Sequence, residues 1–145
     1  MIAYLIEKGA NVNTGAYYKE PFLWEMLKAE KFDIADILLN NGAERDYESS
    51  HLSPFLRSVL NPLHYACVYN KIRLAEYLLE KGVNPNTKNY NQETGLHYAC
   101  KKGTTDIARL LLEKGADIHA KDEEGNTPLH LACQNGKIQT VKLLV

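Results

Sequence analysis

Three histidine–cysteine pairs, His64/Cys67, His97/Cys100 and His130/Cys133, are the residues best suited to chemistry in this 145-residue chain. Residues three apart on a helix share a face, so imidazole and thiol in this spacing point to zinc ligation or to a Cys–His nucleophile. Their positions argue against both. The pairs recur at 33-residue intervals. A tetrahedral site needs about four ligands within roughly 2.3 Å of the metal, whereas neighbouring helices lie about 8–10 Å apart. Nothing marks one pair as a nucleophile apart from the other two. No glycine-rich phosphate loop, nucleophile elbow or His-Glu-x-x-His pattern occurs elsewhere. The residues therefore predict a non-enzyme with no metal and no cofactor. The regular spacing assigns each histidine to hydrogen bonding within its turn and each cysteine to a small buried hydrophobe.

The same 33-residue period runs through Leu78, Leu111 and Leu144, and through Gly82 and Gly115. One folding unit is thus copied along the chain. In Asp122-Glu123-Glu124-Gly125-Asn126-Thr127-Pro128-Leu129-His130 the Asp and Gly suit a tight turn. Thr127 is placed as an N-cap with Pro128 at the first helical position. A short helix follows through Leu131-Ala132-Cys133 and ends at Gly136. Ile138, Val141 and Leu144 resume helical spacing for a second helix, as Ile107, Leu110 and Leu111 do one unit earlier. Gly115 follows Leu111-Leu112-Glu113-Lys114 as a helix-ending glycine.

These residues resemble the ankyrin-repeat family. The likeness lies in Thr127-Pro128-Leu129-His130-x-Ala132 and Leu111-Leu112-Glu113-Lys114-Gly115-Ala116-Asp117, with related copies at Asn61–Ala66, Thr94–Ala99 and Leu78–Asn84. It covers nearly the whole chain and implies an all-α solenoid of stacked helix–turn–helix units with finger loops. Read as a single domain, 1–145, the chain divides into a partial unit 1–14, units of about 15–47, 48–87 and 88–120, and a partial unit 121–145. Ile2, Leu5 and Ile6 at one end and Leu143-Leu144-Val145 at the other do not look like polar caps. They predict fraying or end-to-end self-association, and a segment of a longer array or protein.

The units also depart from their pattern. In the second, alignment back from Gly42 puts Phe22 at the proline position and Trp24 at the histidine, whereas alignment on Pro21 needs one extra residue before Phe32. The first is preferred because it places Met26 and Leu27 inward, and it makes Trp24 core filling. An insertion of about seven residues lies within 43–61, where Ser53-Pro54-Phe55-Leu56 suits the start of a short extra helix. In the fourth, Gln92 stands where Gly125 does, and Gly95 replaces proline. Both substitutions predict a looser finger.

With 17 basic and 18 acidic side chains and a net charge of −1, the chain offers no broad field for nucleic acid. No apolar run approaches the roughly 20 residues of a membrane helix. Three cysteines, an odd number, and no signal-like start favour a cytoplasmic setting, or the host cytoplasm for a microbial effector. The expected partner is another protein, and the expected role that of a scaffold, adaptor or inhibitor. The alternatives are a regulatory or targeting segment of a larger enzyme or channel, and a host-directed effector of an intracellular microbe.

Ankyrin stacks, by resemblance, bind along a concave face of turn tips and first-helix surfaces. Carried onto this sequence, that face comprises Tyr17, Tyr18, Glu20 and Lys28, then Arg57, Val68 and Tyr69. Tyr90, Asn91, Glu93, Lys101 and Lys102 follow, then Glu123, Glu124, Asn126, Gln134 and Asn135. Tyrosine gives a large amphipathic contact at little rotamer cost, so Tyr17, Tyr18, Tyr69 and Tyr90 are the expected anchors, with the 43–61 insertion at one edge. Because the His-x-x-Cys pairs are assigned to packing, treatment with a strong chelator should leave the melting temperature unchanged. A large loss of stability on chelation, followed by circular dichroism, would reverse that assignment.

Overall fold

A computed structural model describes residues 2–12, 22–43 and 61–145. Among them are nine helices and no strand, as the period predicts. The chain groups into two compact units, Met1–Arg57 and Ser58–Val145.

The first unit holds α1 (Ile2–Glu7), α2 (Phe22–Lys28) and α3 (Phe32–Asn40). Phe22 opens α2 as Pro62 opens the next first helix, which fixes the alignment on Phe22. Leu23 and Leu27 of α2 and Ala35 and Leu38 of α3 are buried where the two helices pack. Met26 and Trp24 are only half-buried, against expectation. Alanine occupies the Met26 position in later units, and a longer side chain there reaches the surface. The Trp24 ring carries the Lys28 ammonium 5.4 Å from its centroid, an arrangement that needs one wet edge.

The second unit holds α4 (Pro62–Val68), α5 (Ile72–Glu80), α6 (Gly95–Lys102), α7 (Thr105–Glu113), α8 (Pro128–Gln134) and α9 (Ile138–Leu144). These form three pairs, α4–α5, α6–α7 and α8–α9. First helices α4, α6 and α8 pack side by side in one layer, and α5, α7 and α9 in a second. The first layer is close because its contacts are small: Ala66, Ala99, Ala132, Cys67 and Cys100 are buried. Gly95 belongs to the same logic. A Cβ there would lie 3.1 Å from the Cys67 Sγ and 3.6 Å from Leu63 and Leu111, so at the position that carries proline elsewhere a side chain would need the thiol to give way by a few tenths of an ångström.

The second layer buries Leu74, Ala75 and Leu78 of α5, and Ile107, Ala108 and Leu111 of α7. The matching positions of α9 are Thr140, Val141 and Leu144. This corrects the reading of α9: Ile138 is 66% exposed, whereas Thr140 is buried with its hydroxyl 3.0 Å from that of Thr105. Leu144 is buried too, while Val145 is exposed.

The second helices α3, α5 and α7 end alike. Ala43, Val83 and Ala116 donate their N–H to Leu38, Leu78 and Leu111, around glycines at positive φ. This is a Schellman closure that satisfies otherwise orphaned carbonyls. Among the described residues three that are not glycine also sit at positive φ: Glu30 (56°), Asn70 (53°) and Gln92 (60°). Gln92 occupies the place of Gly125, whose φ is 83°, so the finger keeps its shape against the preference of its side chain.

A left-handed residue other than glycine costs roughly 1–2 kcal/mol, least for asparagine. Gln92→Gly should therefore raise the free energy of unfolding by about 1 kcal/mol after the added entropy of the unfolded chain. Asn70→Gly should change it much less. Urea midpoints of the two variants check the order.

Candidate partner-binding surface

The histidines fix the frame on which a surface can be displayed. In α6, Nδ1 of His97 accepts from the Thr94 N–H (3.1 Å) and lies 2.9 Å from the Thr94 hydroxyl, while Nε2 lies 3.1 Å from the Asn126 carbonyl. With the ring neutral and protonated on Nε2, every contact pairs a donor with an acceptor. The side chain thus caps its own helix and holds the next finger. Thr127 and His130 repeat the cap, at 3.2 and 2.8 Å. His64 differs, because Asn61 stands at its cap and accepts from the His64 N–H at 2.9 Å. Its Nε2 reaches the Thr87 carbonyl at 3.0 Å, and its buried Nδ1 has no hydrogen-bond partner among the described residues.

Burial pushes the His64 imidazole down to about 4, the hydrogen bond to Thr87 opposing it. Burial also lowers His97, against its bond to Asn126. Cys67 and Cys100 are buried, and loss of solvation pushes both thiols up, Cys100 to about 12. Neither supplies a thiolate at neutral pH. Cys133 is exposed, unlike the buried hydrophobe expected, because no further first helix among the described residues covers α8. No group of three or more His, Cys, Asp or Glu among the described residues is arranged to hold a metal ion.

Two fingers project from this frame. In the first, Asn89 and Glu93 close a turn with Asn89 N–H to Glu93 O at 3.0 Å. The Tyr98 hydroxyl donates to the Glu93 carboxylate at 2.7 Å, and Asn89 Nδ2 contacts both, at 3.1 and 2.9 Å. Burial and the neighbouring carboxylate push the Tyr98 phenol well above its ordinary range. In the second finger the Asp122 carboxylate accepts from the N–H groups of Glu124 and Asn126 at 3.0 and 2.7 Å. The Glu123 N–H donates to the Asn91 carbonyl at 2.9 Å, joining the two fingers.

On this frame the expected contact residues separate into two sets. Tyr69 and Tyr90 are 56% and 61% exposed. Asn91, Lys101, Lys102, Glu123, Glu124 and Gln134 are exposed as well, and Val68 is half-buried. The Glu93 and Asn126 side chains are engaged inside the fingers, and Asn135 Nδ2 closes α8 on the Leu131 carbonyl at 2.8 Å. Lys28 lies in the first compact unit. Tyr17, Tyr18, Glu20, Arg57 and the insertion within 43–61 (save Ala43 and Asn61) lie outside the described residues.

Two residues of this face were missed in the sequence. The Tyr65 ring packs against Tyr69 with centroids 4.6 Å apart and planes tilted by 41°, and Tyr98 holds the first finger. They stand 33 residues apart, at the same register position of α4 and α6, which was the available signal.

A helical repeat frame that varies its exposed side chains defines a class of interaction module, and comparison with known proteins gives the family. A model of ankyrin repeats in three copies matches residues 1–89, 23–122 and 63–145. The chain belongs to the ankyrin-repeat family, whose repeats are generally protein–protein interaction modules. It is 26% identical over 94 residues, 65% of its length, to L371 of Acanthamoeba polyphaga mimivirus, a protein named for ankyrin repeats. The chain spans 12% of that relative's length. No helix among the described residues is long and apolar enough to cross a membrane.

His64 and His97 set a pH dependence. Their folded values lie below the unfolded value of 6.5, so the unfolded chain takes up protons first as pH falls. Their stabilisation is whole above 6.5 and is lost on acidification toward the folded values, for His64 between 6.5 and about 4. From about pH 7 to about pH 5, His64 alone should remove about 2 kcal/mol. Denaturant midpoints across that window check the slope, which His64→Gln should flatten.

Proposed function

We propose that this chain holds another protein on the face formed by its first helices and fingers. The observation that carries the reading is the division of labour in the second unit. Helix interiors are committed to stacking, whereas Tyr69 and Tyr90 stand more than half exposed on elements held by hydrogen bonds. An exposed aromatic on a rigid frame loses little entropy on binding, which is the property of an anchor. Val68, Asn91, Lys101, Lys102, Glu123, Glu124, Gln134 and Asn135 complete the face. Tyr17, Tyr18, Glu20, Lys28 and Arg57 join it on sequence position alone. Glu93 and Asn126 contribute by holding the fingers in shape. The charged members supply register and association rate more than affinity.

A second reading has its own support. The mimivirus relative carries the matching stretch within a far longer chain, which favours repeats that target or regulate a larger protein, a host-directed effector among them. Both readings use the same surface.

With a partner recovered by pull-down on the full chain, Tyr69→Ala/Tyr90→Ala should cost on the order of 2 kcal/mol in binding with little change in melting temperature. Undiminished affinity, measured by calorimetry, would move the contact to the second-helix layer or outside these residues.

A further inference from the structure

The edge of the second unit away from the fingers has a charge that stability does not explain. It consists of the turns joining first to second helices, residues 68–71, 101–104 and 134–137, which contain Lys71, Lys101, Lys102 and Lys137 and no carboxylate. Lys101 and Lys102 close α6, where the helix dipole favours cations. Lys137 is different: it is the N-cap of α9, the end at which a cation is disfavoured. Its aliphatic stem lies over Gly103, and a Cβ on that glycine would fall 2.7 Å from the Lys137 Cδ. Packing therefore asks for the stem and not for the ammonium. The same contact draws Lys137 onto the turn that follows Lys101 and Lys102. Among the described residues the Lys101, Lys102 and Lys137 ammoniums have no ion-pair partner. The nearest acid along the chain is Asp106, in the first turn of α7.

Beside this basic edge lies the aromatic pair. Tyr69 stands at the register position of Lys102, one first helix away, and its ring packs tilted against Tyr65 with centroids 4.6 Å apart. The acidic residues of the face, Glu123 and Glu124, are on a finger tip at the other end of the first helices. The face is thus electrostatically polar along the helix direction, with an apolar platform at its basic end.

We propose that this edge receives an acidic segment of a partner protein, an apolar side chain resting on Tyr65 and Tyr69 and carboxylates facing Lys101, Lys102 and Lys137. The proposal rests on the protein-binding reading and adds the chemistry of the partner. Exposed pairs are each worth little, so recognition comes from three cations on adjacent turns together with one apolar contact.

The test uses the full chain and a fluorescein-labelled peptide in which glutamates alternate with leucine and tyrosine, followed by anisotropy. Lys101→Gln/Lys102→Gln/Lys137→Gln should weaken binding about tenfold and reduce its salt dependence. The urea midpoint should change little, since Lys137→Gln relieves the cation at one helix start while Lys101→Gln and Lys102→Gln remove favourable cations from the end of α6. Arg109→Gln/Lys114→Gln/Lys142→Gln, the same charge change on the second-helix layer, should leave binding within about twofold. Equal binding of the glutamine-for-glutamate peptide, or equal losses in the two triple variants, would overturn the proposal. A uridine oligonucleotide bound as tightly as the acidic peptide would overturn it in favour of nucleic acid. A natural partner released by Tyr69→Ala/Tyr90→Ala but retained by the lysine triple would sink the acidic segment while leaving the interaction module standing.

Discussion

Because α4, α6 and α8 meet through Ala66, Ala99, Ala132, Cys67, Cys100 and Gly95, neighbouring units of the second compact body sit close enough for backbone groups of one finger to be reached from the helix before it. That approach is the constraint on which the remaining features depend. Larger side chains at those positions would spread the first-helix layer and draw His97 Nε2 away from the Asn126 carbonyl, now 3.1 Å distant. They would also separate the Thr104 hydroxyl from the Cys67 carbonyl, at 3.3 Å. The buried contact is apolar and short-ranged, as close packing requires. The polar links between units form only because it exists.

The histidine is suited to this geometry by being an acceptor on one side and a donor on the other. Neutral, it takes hydrogen bonds from its own N-cap and gives one to the following finger; protonated, it would confront the Thr94 N–H with a second donor. Burial keeps it neutral at physiological pH. Two consequences follow from one side chain: a helix start that needs no acidic residue in its first turn, and a finger anchored to its neighbour. His64 shows the cost of departing from the pattern. With asparagine at the cap, its Nδ1 is left without a partner while the link to Thr87 is kept.

The fold was legible because the period is carried by residues whose roles are local and strict: turn glycines, N-cap threonines, the Leu-Leu segments. The errors came where a position admits several sizes. Thr140 stands in for Ile107 because a hydroxyl can be buried against Thr105, and Ile138 is exposed because it precedes the buried positions of its helix. The contact surface was only partly legible. Sequence register says that Glu93, Asn126 and Tyr90 lie on one face. It does not say that Glu93 is held by Tyr98 and Asn89, since that depends on where a finger folds back in space. Tyr65 and Lys137 escaped for the converse reason: their significance lies in neighbours, Tyr69 and Gly103, recognised only once the helices are placed.

A stack whose units touch only their neighbours separates stability from surface chemistry. In the second unit the positions facing along the stack are fixed to alanine, cysteine, leucine and histidine. The register positions open to solvent hold Val68, Lys101 and Gln134 in one row, and Tyr69, Lys102 and Asn135 in another. No single physical demand of the fold produces such a mixture, so each row is free to be set by what it meets. Lys137 joins the two regimes. Its methylenes serve the stack by covering Gly103, while its charge stands at the end of α9 where the helix dipole disfavours a cation.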